Sequence, residues 1–155
     1  MNEFDVEAID EKSGTAIERL FERDAHLLTG DANERSISHR LALYLQSEFQ
    51  EWDVDCEYNR EGHGEVKKLK LPIESTQSDD TEARTVFPDI IVHRRTTDDN
   101  LLVIEVKKTK SRVPNKTDLQ KLNAFKEQLG YRHALFLKLI TGRAKVGISE
   151  KCWID

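Results

Sequence analysis

The sequence predicts an α/β or α+β domain built around a mixed sheet, and three observations carry that expectation. Apolar residues recur at helical spacing in three separate stretches. Two apolar strand-like runs, VFPDIIVHR and NLLVIEVKK, flank the turn-forming residues RTTDDN. A strongly apolar run, YRHALFLKLI, follows the third helical stretch. With 155 residues, 37% of them hydrophobic, the chain suits one domain around one core.

In order, the first helix lies in IDEKSGTAIERLFERDAHLL, where Ile17, Leu20, Phe21, Leu27 and Leu28 share a face between charges. Thr29, Gly30 and Asp31 interrupt it. The second runs through NERSISHRLALYLQSEFQ, with Ile37, Leu41, Tyr44, Leu45 and Phe49 as its apolar stripe. WDVDCEYN alternates as a strand does, and residues 60–84 form a polar excursion with a short strand at Lys68–Ile73. After the two apolar strands, SRVPNKT is a loop. Thr117 with Gln120 has capping-box spacing for a third helix striped by Leu119, Leu122, Phe125 and Leu129. YRHALFLKLI and AKVGISEKCWI close the chain as strands.

No apolar run approaches the roughly 18 residues of a membrane helix, and the acidic start MNEFDVEAIDE does not read as a signal peptide. Cys56 and Cys152 stand far apart without metal-ligand spacing, which suits a reducing cytoplasm. The net charge of −5 divides unevenly: residues 1–100 hold 12 Lys+Arg against 24 Asp+Glu, and residues 101–155 hold 12 against 5. A basic C-terminal third permits a nucleic-acid partner without requiring one.

The tetrapeptide EVKK occurs twice, at Glu65–Lys68 and at Glu105–Lys108. The first copy lies in a polar stretch beside Gly62 and Gly64, where hydrated charges need no special account. The second ends the apolar run LLVI, on a strand expected to be central, where ionised groups are costly unless paired or metal-bound. Asp89 is likewise an acid in an apolar strand, between Phe87 and Ile90. A hairpin centred on Thr97 sets Asp89 opposite Glu105, with Lys107 on the same face. Two adjacent carboxylates repel unless one is protonated or a cation intervenes. Oxygen ligands with room for water suit Mg²⁺, or Mn²⁺ in its place, and such an ion can polarise a phosphoryl oxygen and activate water. A nearby lysine can steady that water or the charge developing on phosphorus. Asp89, Glu105 and Lys107 are therefore the minimal parts of a phosphodiester hydrolase. Beyond them, Lys108, Lys110, Arg112 and Lys116 form a basic segment placed to contact flanking phosphates.

Pro88-Asp89, fifteen intervening residues, then Glu105-Val106-Lys107 at the end of an apolar strand resembles the PD-(D/E)xK, or restriction-endonuclease-like, nuclease superfamily. The resemblance covers roughly residues 31–140. It implies an α/β fold with an αβββαβ core, a mixed central sheet flanked by helices and an extra N-terminal helix. Residues 1–30 are then a helical extension and residues 31–155 the nuclease-like domain. In that family the acid–x–Lys follows the PD strand, so Glu65, which precedes it, is a decoy. The resemblance further implies that Asp89 and Glu105 bind metal with the Val106 backbone carbonyl. It places a supporting acid at Glu34 on the preceding helix, and support from Lys121 or Gln120 on the following one. Asp31 and Glu34 also have capping-box-like spacing, so Glu34 has a rival duty at its helix N-terminus. His39, His63 and His93 lack carboxylate spacing and are expected to be hydrogen-bonded or exposed.

The implied activity is a Mg²⁺-dependent endonuclease acting on DNA, as a homodimer or within a larger complex. Two alternatives compete. One is a catalytically inert binding or assembly module of the same fold. The other is an ordinary α/β domain in which Glu105 and Lys107 form a surface ion pair.

Overall fold

The computed structural model describes residues 4–58, 60–61, 65–66, 68–72, 81–85 and 87–155, those of 60–85 by backbone alone. Asp5 opens the first helix, accepting from the Ala8 N–H at 2.9 Å, and α1 spans Val6–Arg23. The sequence predicts that this helix continues to Leu28, but it breaks at Asp24 and resumes as the short α2, Ala25–Thr29. Asp24 is buried, and its carboxylate accepts from the Tyr44 hydroxyl and from Arg40 Nε on the next helix. A tertiary contact thus ends a helix that local periodicity would have extended.

That next helix, α3, spans Glu34–Glu48 and is capped by Asn33, whose side chain accepts from the Ser36 N–H at 2.7 Å. Strand β1 follows at Asp53–Cys56. Residues 60–85 contain two small antiparallel ladders, β2 (Arg60–Glu61) with β3 (Glu65–Val66), and β4 (Lys68–Pro72) with β5 (Thr81–Thr85). The predicted short strand is therefore present through Pro72 and has a partner; Ile73 lies outside the described residues.

The central sheet adds β6 (Ile90–His93), β7 (Asn100–Lys108), β8 (His133–Ile140) and β9 (Gly147–Trp153), in the order β1-β6-β7-β8-β9. Only β7 and β8 run parallel; they are joined by α4, Asn115–Leu129, while the other neighbours are antiparallel. The fold is α/β, with a five-stranded mixed sheet between helices. Helix α4 starts at Asn115 with Pro114 in the cap position, three residues before the cap and start that Thr117 and Gln120 suggest. Proline presets the extended-to-helical turn there without a side-chain cap.

Alternation along β7 divides the core. Leu102, Ile104 and Val106 join the larger cluster with α1 and α3, including Ile9, Leu20, Ile37, Leu41 and Leu45. Helix α1 is thus part of the main core. Val103 faces the other way, with Ile91, Ala134 and Phe136 against Leu122 and Phe125 of α4. Glu105 and Lys107 continue the Val103 face, so two charged side chains enter the α4 layer. No helix among the described residues is long and apolar enough to cross a membrane, and both cysteines are free.

Candidate active site

Strand β6 pairs Ile90 with Ile104, Ile91 with Val103 and Val92 with Leu102. This is the register centred on Thr97 that the sequence predicts, and one further step sets Asp89 opposite Glu105. The Asp89 N–H donates to Glu105 Oε2 at 2.8 Å, and Asp89 Oδ2 accepts from the Val106 N–H at 2.8 Å. The carboxylates are locked to each other's strand.

Strand β7 outlasts β6. A residue's N–H and C=O point to the same edge of a strand, so Val106 and Lys108 present theirs to the edge that β6 has left. Side chains fill the gap: Asp89 takes the Val106 N–H, and Glu34 Oε2 takes the Lys108 N–H at 2.8 Å. Glu34 is free to do so because Asn33 caps α3. Glu34 does not cap its own helix; its carboxylate serves as a backbone acceptor at the end of β7. Asp31 instead accepts from Thr141 Oγ1 at 2.8 Å and pairs with Lys108 Nζ at 3.1 Å.

Glu105 has no exposed surface. Burial pushes its carboxyl up to about 8, the neighbouring Asp89 adds to the rise, and the Lys121 ammonium opposes it. Burial raises Asp89 as well, against the pull of Lys121. Lys121, from the second turn of α4, contacts Glu105 Oε1, which has no hydrogen bond of good geometry. Desolvation draws the Lys121 ammonium down, but Glu105 and Asp89 outweigh it and hold it above the ordinary lysine range.

Lys107 is also buried, 3% exposed, and its Nζ donates to the Val113 carbonyl at 3.0 Å and pairs with Asp118 Oδ2 at 2.5 Å. Glu105 and Lys107 therefore have different partners, Lys121 and Asp118. Since both are buried, the expectation of a surface ion pair between them is overturned. Asp118 is the residue that the sequence reading missed. Asp118 is a first-turn acid whichever start α4 is given, and nothing in its spacing marks Lys107 of β7 as its partner.

The other expected residues divide. The side chain of Gln120, one step and about 100° around the helix from Lys121, makes no hydrogen bond among the described residues. Lys108 is tied to Asp31, and Lys110 Nζ approaches the Gly142 carbonyl at 3.4 Å. Arg112 and Lys116 are exposed. A cavity of about 370 Å³ opens between Asp31, Asn33, Glu34, Lys108, Lys110 and Ser111, beside the end of β7. His93 is buried against Asp55 Oδ2 at 2.6 Å, and His39 is exposed. His63, Lys67 and the side chain of Glu65 lie outside the described residues.

Among the described residues, no three His, Cys, Asp or Glu side chains are gathered to hold a metal. The Asp89–Glu105 pair nevertheless suits a hard divalent cation. Its donors are all oxygen, one or two carboxylates with water are what Mg²⁺ commonly takes, and the buried Glu105 Oε1 has no hydrogen bond of good geometry. Compared with family models, curated proteins and solved structures, the chain matches none.

Proposed function

We propose that the protein is a Mg²⁺- or Mn²⁺-dependent endonuclease that hydrolyses phosphodiester bonds of DNA, of the PD-(D/E)xK kind. One observation carries this reading: half-buried Asp89, just before β6, meets fully buried Glu105, with the Val106 backbone between them. The element order α3, β1, β6, β7, α4, β8 supports it, being the αβββαβ order that such a core requires.

In this reading Asp89, Glu105 and the Val106 carbonyl hold the cation, and Glu34 assists from α3. When bound, the ion supplies Lewis acidity toward a phosphoryl oxygen and a more acidic bound water. Lys107 supplies fixed positive charge toward the phosphate, in a site where burial strengthens every electrostatic interaction. Lys121 compensates the buried pair while the cation is absent. Exposed Arg112 and Lys116, with Lys108 and Lys110 around the cavity, contact flanking phosphates. A domain of 155 residues is small for enclosing a duplex, so the working unit is a homodimer or a subunit of a larger assembly, in a reducing cytoplasm.

A specific observation favours the second reading, a binding or assembly module of this fold without turnover. Each acid already has a structural partner: Asp89 and Glu34 cap β7, and Glu105 is compensated by Lys121. Incubation of single- and double-stranded DNA with the protein and Mn²⁺ separates the two. Cleavage by wild type that Asp89→Asn abolishes is expected; metal binding with no cleavage by wild type would overturn the nuclease reading in favour of the module.

A further inference from the structure

We propose that Asp118 is a positioning residue for the reaction, acting through Lys107; this rests on the nuclease reading of the site. A buried ammonium must have acceptors, and that of Lys107 carries three N–H groups. One is directed to the Val113 carbonyl of the β7–α4 connection at 3.0 Å, and the ammonium also pairs with Asp118 Oδ2 at 2.5 Å, a charge contact without hydrogen-bond geometry. Among the described residues no other group accepts from this ammonium, which leaves it N–H capacity for an incoming phosphate oxygen.

The two anchors differ in kind. Val113 offers a backbone carbonyl from a loop, whereas Asp118 stands on the first turn of a 15-residue helix packed through Leu122 and Phe125. Asp118 also lies close enough to Lys121, one turn later, to count among the charges acting on it. A single carboxylate therefore stands between the lysine that faces Glu105 and the lysine of the EVKK strand. Its charge keeps Lys107 from turning toward Glu105, two residues back on the same face, and so holds the two ammonium groups in separate places. A lysine side chain has several rotatable bonds, and fixing it before substrate arrives removes an ordering cost from the reaction.

The test compares Asp118→Ala, Asp118→Asn and Asp118→Glu in the full chain with Mn²⁺. Nitrogen-15 spectra of the metal-free protein should show a protected Lys107 ammonium, assigned by its loss in Lys107→Met. Asp118→Ala should broaden it away, and Asp118→Glu should restore it. On DNA, kcat should fall about tenfold or more in Asp118→Ala, with KM and calorimetric Mn²⁺ affinity within about twofold of wild type, and Asp118→Glu should recover part of the loss. If Asp118→Ala does not fold, Asp118→Asn, which keeps the shape and removes the charge, carries the same comparison. An ammonium signal unchanged without Asp118, or a signal lost with kcat intact, would each overturn the proposal. If wild type cleaves nothing, the nuclease reading has failed, while the ammonium signal still decides whether Asp118 holds Lys107.

Discussion

The ammonium of Lys121 lies on Oε1 of Glu105, while Oε2 of the same carboxylate accepts the Asp89 N–H at 2.8 Å. Both oxygens of a fully buried acid are thus engaged, one by a fixed backbone group and one by a side chain that can move. A divalent ion that takes Glu105 has to displace the lysine. Lys121→Met should therefore raise Mn²⁺ affinity by about tenfold, roughly 1.4 kcal/mol, and lower the stability of the metal-free protein. Calorimetric titration beside thermal melting reads both. Weaker Mn²⁺ binding in the variant would mean that Lys121 supports the bound ion instead of competing with it.

Asp89→Asn isolates the other ligand. Asparagine keeps an oxygen to accept the Val106 N–H, so the strand edge is preserved while the charge is lost. Wild type should melt at higher temperature with Mn²⁺ or Mg²⁺, because the ion binds the native carboxylates and not the unfolded chain. The variant should lose most of that shift. An undiminished shift places the ion elsewhere.

Stability should depend on pH in two windows. The folded carboxyl of Glu105, pushed up to about 8 first by burial and then by Asp89, stays protonated where the unfolded chain has ionised. Its contribution is whole below the unfolded value of 4.5 and is lost as pH rises through about 8, on the order of a few kcal/mol. Glu105→Gln should flatten that decline between pH 5 and 9, the range spanning these values. Asp55 behaves oppositely. Burial pushes it up, but His93 and Arg95 outweigh that and hold it at about 2, against 3.8 when unfolded. Its contribution is present above pH 3.8 and is lost as pH falls through about 2. Chemical denaturation across pH measures both slopes, and an upward slope from pH 5 to 8 in metal-free wild type would contradict the account of Glu105.

What the sequence made legible was periodicity and its interruptions. The apolar runs located β6, β7, α4 and β8, and the hairpin centre at Thr97 gave the register of Ile90–Val92 and so of Asp89 with Glu105, although a bulge between Val92 and His93 shifts the pairing nearer the turn by one residue. Acids inside apolar strands stood out for the same reason. The break at Asp24 was not legible, since its cause is a buried contact with Tyr44 and Arg40 some 16 to 20 residues away. Nor was the destination of Glu34, which depends on Asn33 having taken the cap. The direction of Lys107 is a matter of rotamer and partner, and the partner, Asp118, is met only through the packing of α4 beside β7. Side chains that choose between two satisfactory duties are decided by tertiary neighbours, which no local pattern encodes.

The repeated tetrapeptide gives the sharpest comparison. Glu65→Ala and Glu105→Ala remove the same side chain from the same four-residue context, so local sequence cannot account for a difference between them. Glu65 belongs to the two-residue strand β3, paired only with β2 outside the central sheet. Glu105 belongs to the third of five strands, is fully buried, and touches Asp89 and Lys121. Glu65→Ala should leave Mn²⁺ affinity and DNA cleavage nearly unchanged and move stability by no more than about 0.5 kcal/mol. Glu105→Ala should abolish both. Its effect on the metal-free protein balances two losses: the crowding of one carboxylate against Asp89 is relieved, while half-buried Lys121 is left with less compensation. Adding Lys121→Met to Glu105→Ala should therefore regain stability, as removing both members of a buried pair costs less than removing one. Thermal melts of these variants with and without Mn²⁺ decide the matter: a metal response lost in Glu65→Ala and kept in Glu105→Ala would move the site to the other EVKK.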